Sequence, residues 1–284
     1  IVGMFSGRDL QIFTKGGEFF LPQSSLDPIT PSNVVINGAT RRGAKEGIKP
    51  VGAESGTLFI QRAGKALREF LFSDVELSYI SNNISLLSSH LLKNPTDMAL
   101  RKATSTTDGD LLLLVNATDG SLATYSILRG QNVIAPSLST TDGTFEKVGV
   151  DVDQIYFVVK RTISSSTKYY VECFNDDNTT DSSKLLSGGS KPSTTTVTGL
   201  SHLEGKTVKV IADDSMQNDK TVSSGQITLD AVPTTYVEIG LDYTPEVKTL
   251  PVELKLSSGN IVAQKKRIIE ATCNLYLSQN LTLN

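Results

Sequence analysis

The sequence predicts an all-β protein. Strand-like runs rich in Val, Ile, Leu, Phe, Tyr and Thr recur every 8 to 15 residues or so, bounded by Gly, Asp-Gly, Asn or Pro. These runs come in pairs of similar design. Helical periodicity occurs once, from Ile84 to Leu92, where Ile84, Leu87 and Leu91 stand at i, i+3 and i+7. An ordinary globular chain carries far more helix than that.

Taken in order, the first pair is Asp9–Phe13 and Glu18–Leu21 around Gly16-Gly17. The second is Thr57–Gln61 and Leu67–Phe72 around Gly64. Next comes the predicted short helix, with Asn82 or Asn83 as N-cap and Pro95 beyond its end. The third pair is Asp110–Val115 and Leu122–Leu128 around Thr118-Asp119-Gly120. The fourth is Gln154–Lys160 and Lys168–Phe174 around Ser164–Thr167. Aligning Phe13, Phe59, Leu113 and Phe157 gives spacings of 46, 54 and 44 residues. A unit of that length with a central hairpin suits β-propeller blades, and an evenly spaced β-sandwich is the alternative. Thr-Asp-Gly recurs at 107–109, 118–120 and 141–143. Asp-Gly supplies the positive φ that tight hairpin turns require. The propeller-like domain is therefore expected over 1–175.

Residues 176–197 are polar and read as a linker, including Ser187-Gly188-Gly189-Ser190. A small separate β module is expected over 198–240, with strands at Lys206–Ala212, Lys220–Val222, Gln226–Leu229 and Tyr236–Ile239. Residues 241–284 are expected to return as strands of a further β domain, at Lys248–Leu256 and Ile268–Leu277. The chain begins with Ile and ends just after a strand-like run, so it reads as an interior piece of a longer polypeptide.

Composition excludes several classes. The formal charge is −3, too small for a protein that holds nucleic acid by bulk charge. The 31 Ser and 30 Thr make up about a fifth of the 284 residues, and no apolar run approaches the length of a transmembrane helix. Cys173 and Cys273 lie far apart and form no disulfide framework or zinc motif. Both are expected to be reduced, buried and structural.

No arrangement of residues points to catalysis, a metal or a cofactor. The stretch Asp176-Asp177-Asn178-Thr179-Thr180-Asp181 lacks the Gly and Glu that shape and close a calcium loop. The pairs Asp108/Asp110 and Asp151/Asp153 have the spacing that puts two carboxylates on one strand face; turn caps and hairpin edges are the plainer reading. His90 is expected on a partly buried helix face, and His202 in a turn it ties by a hydrogen bond. Basic clusters at Arg41-Arg42, Lys160-Arg161 and Lys265-Lys266-Arg267 are scattered and not interleaved with aromatics, so no stacking platform for single strands emerges.

Several segments resemble the tail nozzle proteins of short-tailed bacteriophages (podoviruses), also called tail tubular protein B. They are Phe13-Thr14-Lys15-Gly16-Gly17-Glu18-Phe19 with Asp27–Asn33, Gly47–Val51 leading to Leu58–Arg62, and the predicted helix at Ile84–Leu92. The most specific is Gly199–Val208, followed by Val222–Leu229 and Gly240–Pro245. Lys265–Ile268 stands where that family places a basic run before a strand. The resemblance covers most of the chain in order. Family members commonly carry Trp in the early blades; this chain has none, and Phe19 stands where an aromatic is wanted.

The resemblance implies a non-enzymatic structural protein of the virion tail, assembled in the host cytoplasm. It implies a homo-oligomeric ring, usually hexameric, at the distal end of the tail, acting as a conduit for genome ejection. Implied partners are the tail adaptor protein, the tail fibres, and double-stranded DNA and ejected proteins in transit. A low net charge suits a conduit, because tight DNA binding would stall passage. The lumen is accordingly expected to be neutral or acidic. The alternative is a receptor- or carbohydrate-binding β protein of a virion or cell surface.

Overall fold

Each of the four hairpins forms in the computed structural model and lies inside its own antiparallel sheet. The structure describes residues 1–22, 28–54, 56–105 and 108–248, and beyond these 255–256, 259–260, 267, 269–274 and 282. Among the described residues the helical pieces are three-residue 3-10 turns, and the protein is all-β.

Sheet 1 is a meander of β1 (Gly3–Ser6), β2 (Leu10–Phe13), β3 (Glu18–Leu21) and β4 (Asn37–Thr40). Sheet 2 repeats it with β5 (Val51–Gly52), β6 (Thr57–Ile60), β7 (Leu67–Ser73) and β8 (Ser78–Asn83). Sheet 3 does so again with β9 (Pro95–Arg101), β10 (Asp110–Asn116), β11 (Leu122–Leu128) and β12 (Val133–Ser139). Sheet 4 has three strands, β13 (Thr144–Asp151), β14 (Gln154–Ile163) and β15 (Ser166–Cys173).

The sheets pack face to face in chain order, because successive side chains of a strand point to opposite faces. Phe13 and Phe20 of sheet 1 meet Phe59, Phe70 and Tyr79 of sheet 2, with the Phe13 and Phe59 ring centroids 5.1 Å apart. The other face of sheet 2, Leu58, Ile60 and Leu67, packs on Leu112, Leu114 and Tyr125 of sheet 3. The other face of sheet 3, Leu113, Val115 and Leu122, packs on Ile155, Phe157 and Val159 of sheet 4. Sheets 2 and 3 are thus covered on both faces. That is why β6 is buried throughout and why the Leu111–Val115 run of β10 is almost unbroken in its apolarity. Phe13, Phe59, Leu113 and Phe157, aligned from sequence spacing, are all buried on the second strands of their sheets.

The predicted helix at Ile84–Leu92 does not form. Asn83 Oδ1 accepts from the backbone N–H and the hydroxyl of Ser85, a local bond that competes with a helical start. Ser85 and Ser88 point inward along with Leu92, which joins the core between sheets 2 and 3, where Ile84 and Leu91 also pack. The Leu67 N–H donates to Ser85 Oγ, and the Ser88 hydroxyl donates to Tyr125 Oη. Leu86 and Leu87 face solvent, and a 3-10 turn closes only over Ser89–Leu91. The loop is latched by Asn116, which is fully buried: its side chain accepts from Lys93 N–H and donates to Leu91 O and Ser121 Oγ.

The segment read as a linker contains a strand of the module. β16 (Asp181–Ser187) is the first strand of a sheet in the order β16-β22-β18-β19, formed with β18 (Thr207–Ala212), β19 (Ser215–Met216) and β22 (Tyr236–Leu241). β20 (Lys220–Thr221) also pairs with β18, and β17 (Thr196–Thr198) pairs with β21 (Gln226–Thr228). The module therefore starts at 181 rather than 198. β16 looks polar because it is a half-exposed edge strand that sends only Leu186 against the core. That core is the module's own, built from Val197, Leu200, Leu203, Val208, Val210, Ile227, Val237 and Ile239 among others.

Residues Thr244–Asn284 form a second unit. Its described hairpin is β23 (Lys255–Leu256) with β24 (Gly259–Asn260). Most of the strand expected at Lys248–Leu256 lies outside the described residues. Of the one expected at Ile268–Leu277, residues 269–274 are not in a strand and the rest lies outside the description.

Candidate functional surfaces

The densest charged cluster joins sheet 4 to the module, and alternation along β14 builds it. Ile155, Phe157, Val159, Arg161 and Ile163 share the inward face, so Arg161 is buried while Lys160 is exposed. The Arg161 guanidinium donates to both oxygens of Glu172, at 2.6 and 2.7 Å, and to the Asp142 carbonyl at 2.8 Å. Asp181, the first residue of β16, lies 3.5 Å from the same guanidinium and accepts from the Thr141 hydroxyl at 2.7 Å. Lys206 of the module pairs with Asp142 at 2.7 Å. Burial works against the Arg161 charge, but Glu172 and the neighbouring acids outweigh it and raise the pKa further. His202 donates from Nε2 to Ser182 O at 3.2 Å, the turn-tying bond expected of it, beside the Tyr170 ring. Burial lowers its pKa and favours the neutral ring. Every donor of this cluster named here is already engaged, which makes it a clamp between two β units.

The acidic pairs do not converge. Asp110 is buried and accepts from Ala103 N–H, whereas Asp108 is exposed and accepts from the Thr104 hydroxyl. Asp151 and Asp153 are exposed at the β13–β14 turn. Asp176 pairs with Arg101, and Asp181 belongs to the clamp. Among the described residues no group of three or more His, Cys, Asp or Glu is placed to hold a metal ion. His90 is exposed, not partly buried, because its helix is not there. Cys173 and Cys273 are free thiols, but both are exposed rather than buried. Cys173 shares the outward face of sheet 4 with Tyr156, its partner in register. Arg41 and Arg42 are exposed, as is Arg267; Lys265 and Lys266 lie outside the described residues.

Sequence reasoning missed two features that only sheet stacking creates. One is the ion pair between buried Glu69 of sheet 2 and Arg129 at the end of β11. The other is a pair of partly exposed outer sheet faces, on sheets 1 and 4. The outward face of sheet 1 carries Met4, Ile12 and Phe19, with Met4 60% exposed. The outward face of sheet 4 carries Tyr156, Val158, Tyr169 and Val171, and Tyr169 and Val171 are 63% and 75% exposed.

No family model matches the chain, and a search of curated proteins finds no match. Among the described residues no helix is long and apolar enough to cross a membrane.

Proposed function

We propose that this chain is a structural, non-enzymatic subunit of the distal tail nozzle of a short-tailed phage. Its four stacked sheets would be blades of a β-propeller, and copies of it would form a hexameric ring around the DNA exit channel. The observation that carries the reading is the serial face-to-face packing of sheets 1 to 4, each a simple meander. This rigid, repetitive build suits a load-bearing wall, and it accompanies residue resemblance that runs in order along most of the chain. The clamp around Arg161 supports it too, since it fixes the module rigidly to sheet 4. The channel in this reading belongs to the ring and not to any one subunit. Electron microscopy of the purified chain, alone and with the tail adaptor ring, tests it. Rings with an axial pore that dock on the adaptor are expected. A chain that stays monomeric and ignores the adaptor would overturn the reading, as would a pore lined mainly by Lys and Arg.

A further inference from the structure

We infer that the loop between β8 and β9, with the basic turns beside it, is a contact surface for an anionic lipid bilayer. Two observations carry this, and neither rests on the ring reading.

The first is an inverted order of burial. Ser85 and Ser88 are buried, while Leu86 and Leu87 between them are 70% and 94% exposed. The loop is pinned in that state. Ser85 Oγ accepts from Leu67 N–H, the Ser88 hydroxyl donates to Tyr125 Oη, and Leu92 sits in the core between sheets 2 and 3. Leucine is ordinarily the buried residue and serine the exposed one. A loop anchored by its serines holds two leucines out in water, and exposed apolar surface of that kind marks a place of contact.

The second is the charge around that tip. Strand direction brings the β2–β3 turn, the segment after β4, the β6–β7 turn and the β8–β9 loop to one end of the stack. Arg62 donates from its guanidinium to Lys15 O at 3.2 Å and from its backbone N–H to Gly43 O. Leu67, two residues past Lys65, donates to Ser85, and Lys45 Nζ reaches Asn94 Oδ1. Two of the cations gathered here are neutralised, Lys15 by Glu46 at 2.6 Å and Lys93 by Asp119 at 2.7 Å. Arg41, Arg42, Arg62 and Lys65 are exposed and form no ion pair among the described residues. The opposite end has the reverse character. Its β7–β8 turn also exposes apolar side chains, Val75 and Leu77, but interleaves them with the exposed acids Asp74 and Glu76. The β13–β14 turn there carries exposed Asp151 and Asp153.

An apolar tip among unpaired cations fits one partner best. A protein interface is built on a broad apolar centre, which two leucines do not supply. A nucleic-acid backbone would engage the cations and leave the leucines in water. An anionic bilayer takes both. The leucines enter the acyl boundary, and the Arg and Lys heads stay among the phosphates with their stems along apolar surface. Either signal alone gives marginal binding, and the two together give stable attachment.

The test uses the full chain, which has no Trp. Leu87→Trp places a fluorophore at the tip, and Val75→Trp places one at the opposite end. On mixed vesicles of phosphatidylcholine and phosphatidylglycerol, emission of the Leu87→Trp chain should shift to the blue and that of the Val75→Trp chain should not. The parent should sediment with these vesicles, not with phosphatidylcholine alone, and less as salt rises. Leu86→Ser with Leu87→Ser should weaken binding about tenfold or more. Arg41→Gln, Arg62→Gln and Lys65→Gln should each weaken it about fivefold. Val75→Ser with Leu77→Ser should leave it unchanged. Circular dichroism and thermal unfolding check that each variant is folded. A chain that ignores the mixed vesicles, or binds both kinds equally, would overturn the inference, as would a Leu87→Trp emission that does not move. Vesicle binding indifferent to the double Ser variant, with a DNA duplex held through the same cations, would overturn it too and assign those cations to a phosphate backbone.

Discussion

At the residue scale, the β10–β11 turn shows how a few side chains hold two sheets in register. Gly120 has a φ of +67°, and a Cβ there would lie 2.3 Å from Thr144 Cβ at the start of sheet 4. Gly120 O also accepts from Phe145 N–H, tying the turn to β13. Gly120→Val therefore meets two obstacles, a left-handed backbone and an occupied space. We expect a loss of about 3 kcal/mol, read as a lower midpoint in urea unfolding at an unchanged slope. Beside it, Asp119 is held at about 2: burial opposes its ionisation, but Lys93 and the hydroxyl and amide of Ser121 outweigh that. The folded pKa lies below the unfolded value, so this stabilisation is complete above the unfolded value near 4 and fades as pH falls through about 2. Asp119→Asn should lower the thermal midpoint at pH 7, and the gap from the parent should close on acidification. A gap that stays constant down to pH 2 would show that the charge is not what Asp119 contributes.

At the element scale, the clamp decides whether the module is a rigid part of the molecule. Arg161 is buried, bidentate to Glu172, and shared with Asp181 across the boundary. Removing Arg161 leaves Glu172 and Asp181, each about a quarter exposed, facing one another without the cation that holds them. Arg161→Met is therefore expected to cost about 3–5 kcal/mol. Arg161→Lys should recover little, because an ammonium cannot bridge both Glu172 oxygens while also reaching the Asp142 carbonyl. The loss should appear as a separate early transition of the module in calorimetry. A single transition merely shifted downward would mean that the hydrophobic contacts, not the clamp, couple the two parts. The four hairpins were legible in the sequence because both of their signals, alternation and turn chemistry, are local. Arg161 was half legible: it continues the inward series of Ile155, Phe157 and Val159, yet beside Lys160 it reads as a surface cluster. β16 was illegible because a half-exposed edge strand has no apolar face to advertise. The apolar residues at 84–92 misled because i, i+3, i+7 spacing also arises in a loop whose buried anchors are Ser85, Ser88 and Leu92, none of them at those positions. The partly exposed outer faces and the Glu69–Arg129 pair depend on which sheet stacks on which, and no local pattern encodes that.

At the scale of the whole molecule, the stack is not uniformly covered, and its stability should follow the covering. β6 and β10 lie between other sheets, with Leu58, Phe59, Leu112, Leu113 and Leu114 at 0–2% exposure. β12 is exposed along all seven residues and carries Pro136, which cannot donate to another strand and so blunts that edge. β15 is exposed over most of its length, contains no Pro, and pairs on one side only in its sheet. Local opening costs least where few apolar contacts must break, and approaches the global unfolding free energy where many must. Native-state hydrogen exchange should therefore rank the amides of Leu58–Ile60 and Leu112–Val115 slowest. Those of β12 and of the outer residues of β15 should be fastest. Equal protection across all four sheets would mean that the stack opens only as one block, and the covered centre would then hold no stability of its own.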